Sequence, residues 1–327
     1  MSVEALPAAP VSAPGPSRAA AIVGRTGGLF LGLVLLVAAA LKALDPATFG
    51  EEIVAQGVAF GLPPMAAALA ALAVETAIGA ALVLDLRSRA LLGCATALVA
   101  FFLYLTGKMA WLAARGLADA SAACGCFGAL VERTPGQALV QDLILLVPGL
   151  ALAWLGRPGA GGRRGRRWAS AVGLALVVVG FAAAAPRLPL DDLATRLGPG
   201  VTVDGLCAGQ GADRVCLDTL VPSLARGEHL VVIADAAAPG FAELAARLNA
   251  HVRAGGDPPA TVLADLAPGE RQALYWQIAP AFDLHEVPRA LLRPLYRELP
   301  RGFHLVDGVV TETWSGPPPA LAGEPER

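Results

Sequence analysis

The stretch "GGLFLGLVLLVAAALKAL", residues 27–44, reads as a membrane-crossing helix. No charge interrupts it before Lys42. A spanning helix needs about 20 mostly apolar residues, enough to cross the hydrocarbon core. Four more stretches fit the same description: 64–85 ("PMAAALAALAVETAIGAALVLD"), 90–112, 137–155 and 168–185. Pro148 falls inside the fourth of the five spans and predicts a kink there.

Composition agrees with this reading. Hydrophobic residues make up 55% of the 327 and charged residues only 16%, where soluble chains carry about 25% charged residues. Mean hydropathy is +0.59. The net charge of −2 gives no bias toward nucleic acid, and the "GRRGRR" run is read as a membrane flank rather than a nucleic-acid patch. After residue 186, polar residues, prolines and turn signals rise to the density of a soluble domain.

Only Lys42 and Lys108 are lysines, so orientation is read mainly from arginine. Arg18, Arg25, Arg87, Arg89 and the arginines of 157–167 flank one side of the spans. The alternate flanks, 45–63 and 113–136, hold only Arg115 and Arg133. This predicts a cytoplasmic N-terminus, with residues 113–136 and everything after 186 outside. The first span reads as an uncleaved signal anchor, since 26 residues precede it and no clear cleavage site follows. Four segments result: a disordered, Ala-, Pro- and Ser-rich cytoplasmic tail at 1–26, a four-helix membrane domain at 27–157, a basic loop with a fifth transmembrane helix at 158–186, and an extracytoplasmic domain at 187–327.

On the outside, "SAACGCFGAL" (121–130) places Cys124 and Cys126 around a glycine. Thiols outside a bacterial membrane tend toward oxidation. A disulfide between residues i and i+2 is strained, and strained bonds are the labile, catalytic or regulatory ones. A redox role for Cys124 and Cys126 is therefore the leading reading. Two thiols packed against a helix end are the plain alternative. Two thiolates do not complete a zinc site, and all four histidines lie in the soluble half, so no metal is expected. Cys94, within the third span, counts as a small apolar residue.

Glu75 stands about half-way along the second span. A carboxylate at that depth costs a few kcal/mol and should face the bundle and find a partner. Lys42 and Lys108 are the candidates, and Asp142 is a lesser acidic site. The pair either fixes helix packing or accepts a proton coupled to thiol or quinone chemistry.

"ALKALDPATF", "ETAIGAALVL" and "CGCFG", in this order, resemble the MauE branch of the DoxX-like membrane proteins over about residues 25–157. The resemblance implies a four-helix, redox-associated membrane protein of methylamine utilisation, an amine metabolic process. In that family the role is support for maturation of the disulfide-rich small subunit of methylamine dehydrogenase. By matching position it marks Lys42, Asp45, Glu75, Cys124, Cys126, Phe127 and Gly128 as signature residues.

In the soluble half, 228–235 reads as a buried strand and 239–256 as an amphipathic helix. A second strand (260–266) and helix (268–282) follow, then a hairpin over 302–314 turning at Asp307-Gly308. The order β-α-β-α-β-β resembles thioredoxin, with Pro300 in the place of its cis-proline. The Cys-x-x-Cys that the resemblance expects after the first strand is replaced by "AAPG", 237–240. A thioredoxin-like fold without dithiol activity at that position is expected. Cys207 and Cys216 precede it, and an outside location favours a structural disulfide worth about 2.7 kcal/mol in the chain-entropy treatment. A second redox pair exchanging with Cys124–Cys126 is the alternative.

The fold class expected is thus an all-α polytopic four-helix bundle with a fifth transmembrane helix, followed by an α/β thioredoxin-like domain. The function expected is that of a bacterial inner-membrane thiol–disulfide oxidoreductase component. It would act on an extracytoplasmic thiol–disulfide protein or secreted client, with a membrane quinone as an available electron acceptor. A non-catalytic assembly factor, its soluble domain holding a client, is the second reading. The bilayer is a partner in both, and nucleic acid in neither.

Overall fold

A computed structural model describes residues 18–117, 133–156, 164–209, 214–267, 269–319 and 321. The membrane half contains α1 (Arg18–Leu44), α2 (Pro46–Ala55), α3 (Pro64–Val83), α4 (Arg89–Ala114), α5 (Pro135–Leu155) and α6 (Arg164–Ala184). All but α2 are long and apolar enough to cross a membrane. Residues 18–26, assigned above to the tail, are instead the opening turns of α1. The Ala-rich run "RAAAIVGR" favours helix and simply extends the apolar span. Pro148 lies inside α5 without ending it.

α1 is the centre of the bundle. It packs against α3 on one side and α5 on the other, while α4 lies on α5 and α6 on α3. Glycines set the distance between backbones. A Cβ on Gly27 would come within 2.4 Å of Leu152 Cβ, and one on Gly32 within 2.6 Å of the Gly79 carbonyl. In lipid, helices associate by close packing of such small residues rather than by hydrophobic burial. At the end of the bundle where α3 turns into α4, Arg87 is buried and pairs with Asp85 at 2.8 Å. Its guanidinium also donates to the Gly156 carbonyl, tying that turn to the end of α5.

The soluble half begins with α7 (Asp191–Ala194), then a two-stranded ribbon of β1 (Cys207–Ala208) and β2 (Val215–Cys216) and the single turn α8 (Leu217–Leu220). Cys207 and Cys216 face each other across the ribbon and are disulfide-bonded. The main sheet follows: β3 (Glu228–Ile233), α9 (Phe241–Arg253), β4 (Ala260–Ala264), α10 (Glu270–Ile278), β5 (Asp283–Glu286), α11 (Arg289–Leu292), β6 (Arg301–Val306) and β7 (Val309–Ser315). Strand order is β5-β4-β3-β6-β7, with β3, β4 and β5 parallel and β6 antiparallel to both neighbours.

β3 is central and covered on both faces, so its residues run almost continuously apolar. Val231 and Ile233 point into a core with Phe303, Leu224 and Leu292. Leu230 and Val232 point the other way, against Phe241, Leu244 and Leu248 of α9. The hairpin turns at Asp307 and Gly308, both with positive φ (48° and 75°), as an Asp-Gly turn requires. The peptide bond before Pro300 is cis. β5 is an addition to the six-element order read from the sequence. It occupies the sheet edge beside β4, where "DLHE" alternates too weakly to stand out as a strand.

The two halves touch. Arg297 donates to the carbonyls of Ala185 (2.8 Å) and Leu188 (3.3 Å), just beyond α6. Arg293 reaches α2, donating to Thr48 Oγ1 (2.6 Å) and to Glu51 (3.2 Å).

Candidate functional site

"ALKALDPATF" is where one helix stops and the next begins. Asp45 is the N-cap of α2, accepting from the Thr48 backbone N–H at 3.1 Å and from the Thr48 hydroxyl. Pro46 takes the first helical position, where its missing N–H costs nothing. Asp45 thus acts as the cap that turns the chain out of α1, leaving Lys42 in the last turn behind it. Gly50 then lets α2 lie on the start of α3, since a Cβ there would meet the Pro64 carbonyl oxygen at 2.3 Å.

Lys42 and Glu75 form the polar centre of the membrane half. The ammonium donates to both carboxylate oxygens, at 3.0 and 2.8 Å, and the side chains are only 4% and 1% exposed. The rings of Phe49 and Phe102 lie 5.1 and 4.9 Å from Lys42 Nζ, and their faces add cation–π attraction. Lys108, the other candidate partner, is turned elsewhere. It donates to the Gln56 carbonyl at 3.2 Å and so ties α4 to the end of α2. Asp142 is buried on α5 and faces the same space as Glu75.

That space is a cavity of about 440 Å³. Ala67, Ala70, Ala71 and Val74 of α3 form one wall; their spacing of three and four residues puts them on one helix face. Leu98, Phe101, Phe102 and Leu105 of α4 form the opposite wall. Residues of α2 and of 56–62 also line it, and Lys42, Glu75 and Asp142 bring polar groups to it. α3 and α4 scarcely touch, so the cavity lies in the gap between them.

Glu52, on α2, also lines the cavity. Burial pushes its carboxyl from 4.5 up to about 7, partly opposed by the Arg293 guanidinium of the soluble domain. Below pH 4.5 the group is protonated whether the chain is folded or not. Between 4.5 and about 7 the unfolded chain releases the proton first, so the folded state loses stability as pH rises through this window. Glu52→Gln should therefore flatten the pH dependence of the melting temperature across this range and raise it above pH 7. Melting curves of both proteins in one detergent at pH 5 to 8 check this. An unchanged slope would remove Glu52 from the set of titrating groups.

Cys124, Cys126, Phe127 and Gly128 lie outside the described residues. The chain leaves α4 and re-enters α5 at the end of the bundle that carries α2, as the Lys108–Gln56 bond requires. Cys94 is exposed on α4, outside any disulfide, and does not line the cavity. Among the described residues no cluster of three or more His, Cys, Asp or Glu could hold a metal.

In the soluble half, the segment after β3 forms a turn in which Asp235 accepts from the Ala237 N–H at 2.9 Å. It borders a cavity of about 330 Å³ shared with Phe241, Arg247, Leu299 and Pro300, without a cysteine in its lining. The Pro300 carbonyl accepts from the Gly316 N–H at 2.8 Å, joining the two ends of the closing hairpin.

α2, Glu52 and the cavity have no counterpart in the expectations from sequence. A signal for α2 was present in Asp45-Pro46, a cap followed by a first-turn proline. The alanine face of α3 was visible too, but in an Ala-rich span such a pattern does not distinguish a cavity wall from a packed seam.

Residues 20–155 match a family model described as methylamine utilisation protein MauE. No curated protein and no solved structure matches the chain.

Proposed function

On the premise that residues 20–155 are a MauE-like domain within a multi-pass membrane protein, we propose that the chain is a membrane redox component for maturation of a secreted protein. A client of the methylamine dehydrogenase type suits the family's link to methylamine utilisation. In this reading Cys124 and Cys126 face the outside of the bacterial inner membrane and the N-terminus faces the cytosol. A Cys124–Cys126 disulfide accepts two electrons and two protons from a client dithiol, which becomes a disulfide. The reduced pair then passes two electrons and two protons to a membrane quinone, which becomes quinol. The observation that carries this reading is the buried Lys42–Glu75 pair, set at a cavity in the end of the bundle to which residues 118–132 connect.

The soluble domain is read as thioredoxin-like. Supporting this are the parallel β3–α9–β4 unit and the antiparallel β6–β7 hairpin. "AAPG" at 237–240 leaves it without a thiolate there, which suits a client-holding role. That feature favours the second reading, a non-catalytic assembly factor whose soluble domain binds the client.

Complementation separates the two. Cys124→Ser and Cys126→Ser should each abolish maturation of the client while leaving the protein in the membrane at normal level. Maleimide trapping should show the pair cycling between thiol and disulfide in the unaltered protein. Full function in both variants would remove the redox reading and leave the assembly factor.

A further inference from the structure

We infer that the cavity between α3 and α4 is the binding site of the isoprenoid quinone, entered sideways from the bilayer. This rests on the redox reading above and gives the electron acceptor a place. Three features select the ligand.

The first is shape and access. A volume of about 440 Å³ is that of a small-molecule pocket. Its mouth is formed by side chains turned outward at the level of the spans: Val74 is 51% and Phe101 36% exposed. Phe60, 88% exposed, also lines the cavity. A ligand dissolved in lipid can enter between two helices that hardly meet.

The second is the lining. Phe49, Phe101 and Phe102 offer ring faces and edges to a flat aromatic head, and the alanines of α3 leave room for it. Leu98, Leu105 and Val74 suit an isoprenoid chain leading out.

The third is charge, which separates a quinone from a phospholipid. The charged lining residues are one lysine against three carboxylic acids: Lys42 with Glu52, Glu75 and Asp142. Lys42 is already held by Glu75 through both oxygens. A phosphate headgroup would find the lysine of the lining already engaged by a carboxylate. A neutral quinone carbonyl needs only a donor, which the ammonium or a protonated carboxyl supplies. Reduction to quinol also consumes two protons, equal to those released when a dithiol closes to a disulfide. Glu52, half-buried in the lining with its carboxyl pushed up to about 7, is suited to relay them.

The test uses the full chain in phosphatidylcholine nanodiscs. An azido-substituted short-chain ubiquinone is photolysed in the presence or absence of decylubiquinone, and labelled peptides are mapped by mass spectrometry. Label should fall within α3 and α4 and be competed away. Ala71→Phe projects a ring into the cavity and should reduce labelling about tenfold. Val74→Trp, at an exposed position that carries little folding risk, should obstruct the mouth with a similar effect. Label located elsewhere, or unchanged in Val74→Trp, would overturn the site. So would a co-purifying phospholipid that decylubiquinone fails to displace and that Ala71→Phe expels. Quinone labelling that persists while Cys124→Ser and Cys126→Ser prove silent would keep the site and remove the redox reading. Thiol cycling without quinone labelling would do the reverse.

Discussion

Lys42→Met is expected to lower the stability of the detergent-solubilised protein by about 3–5 kcal/mol, because it leaves a buried carboxylate without its counter-charge. The carboxylate is that of Glu75, whose two oxygens both receive hydrogen bonds from Lys42. Its side chain is only 1% exposed, and most of the residues lining the cavity beside it are apolar. Glu75→Gln should destabilise by a comparable amount, since it strands the ammonium instead. The double variant Lys42→Met/Glu75→Leu removes both charges and should recover most of the loss, because replacing a whole buried pair by apolar groups is often neutral. Denaturant titrations of the three variants in one detergent measure this. Complementation then assigns the pair. A double variant that folds and restores client maturation would confine Lys42 and Glu75 to helix packing. One that folds but fails would give them a part in the chemistry. Single variants as stable as the parent would contradict the buried geometry itself.

The second large effect is expected at Gly27. Its added Cβ would lie 2.4 Å from Leu152 Cβ, 2.7 Å from the Ala153 nitrogen and 2.8 Å from the Gly149 carbonyl. Two of these contacts are backbone atoms of α5, so no side-chain rotation relieves them. Gly27→Ile must push α1 away from α5, and overpacking of this kind costs about 1–3 kcal/mol, occasionally more. Because α1 also carries Lys42, the shift should weaken the Lys42–Glu75 pair as well. Gly93→Ala is the matched control. It lies within α4, with nothing within 4 Å of the added carbon. It should be neutral or gain up to about 1 kcal/mol from helix propensity. Melting temperatures of the two variants give the comparison; equal values would show that the α1–α5 approach is looser than the glycines imply.

The helices and strands were legible where their pattern is local. Five apolar runs returned as five long helices, with ends shifted by a few residues and by nine at Arg18. The apolar run in 228–235 and the Asp-Gly turn at 307–308 likewise gave strands close to those expected. α2 and β5 escaped because each is short and weakly patterned, and each is held by what it packs against: α3 for α2, β4 for β5.

The amino-acid order alone determined that the chain crosses a membrane several times, that a soluble α/β half follows, and that Glu75 had to find a basic partner. These follow from the cost of exposing apolar surface to water or a charge to lipid, and that cost attaches to individual residues. The choice of Lys42 over Lys108 belonged to the tertiary structure. Lys42 is 33 residues from Glu75, and whether their side chains meet depends on the rotation and stagger of α1 against α3. The same holds for the cavity, since alanines make a void only if the helix opposite stands off. Glycines that bring α1 close to α3 and α5, with α4 carried on α5, leave that gap between α3 and α4.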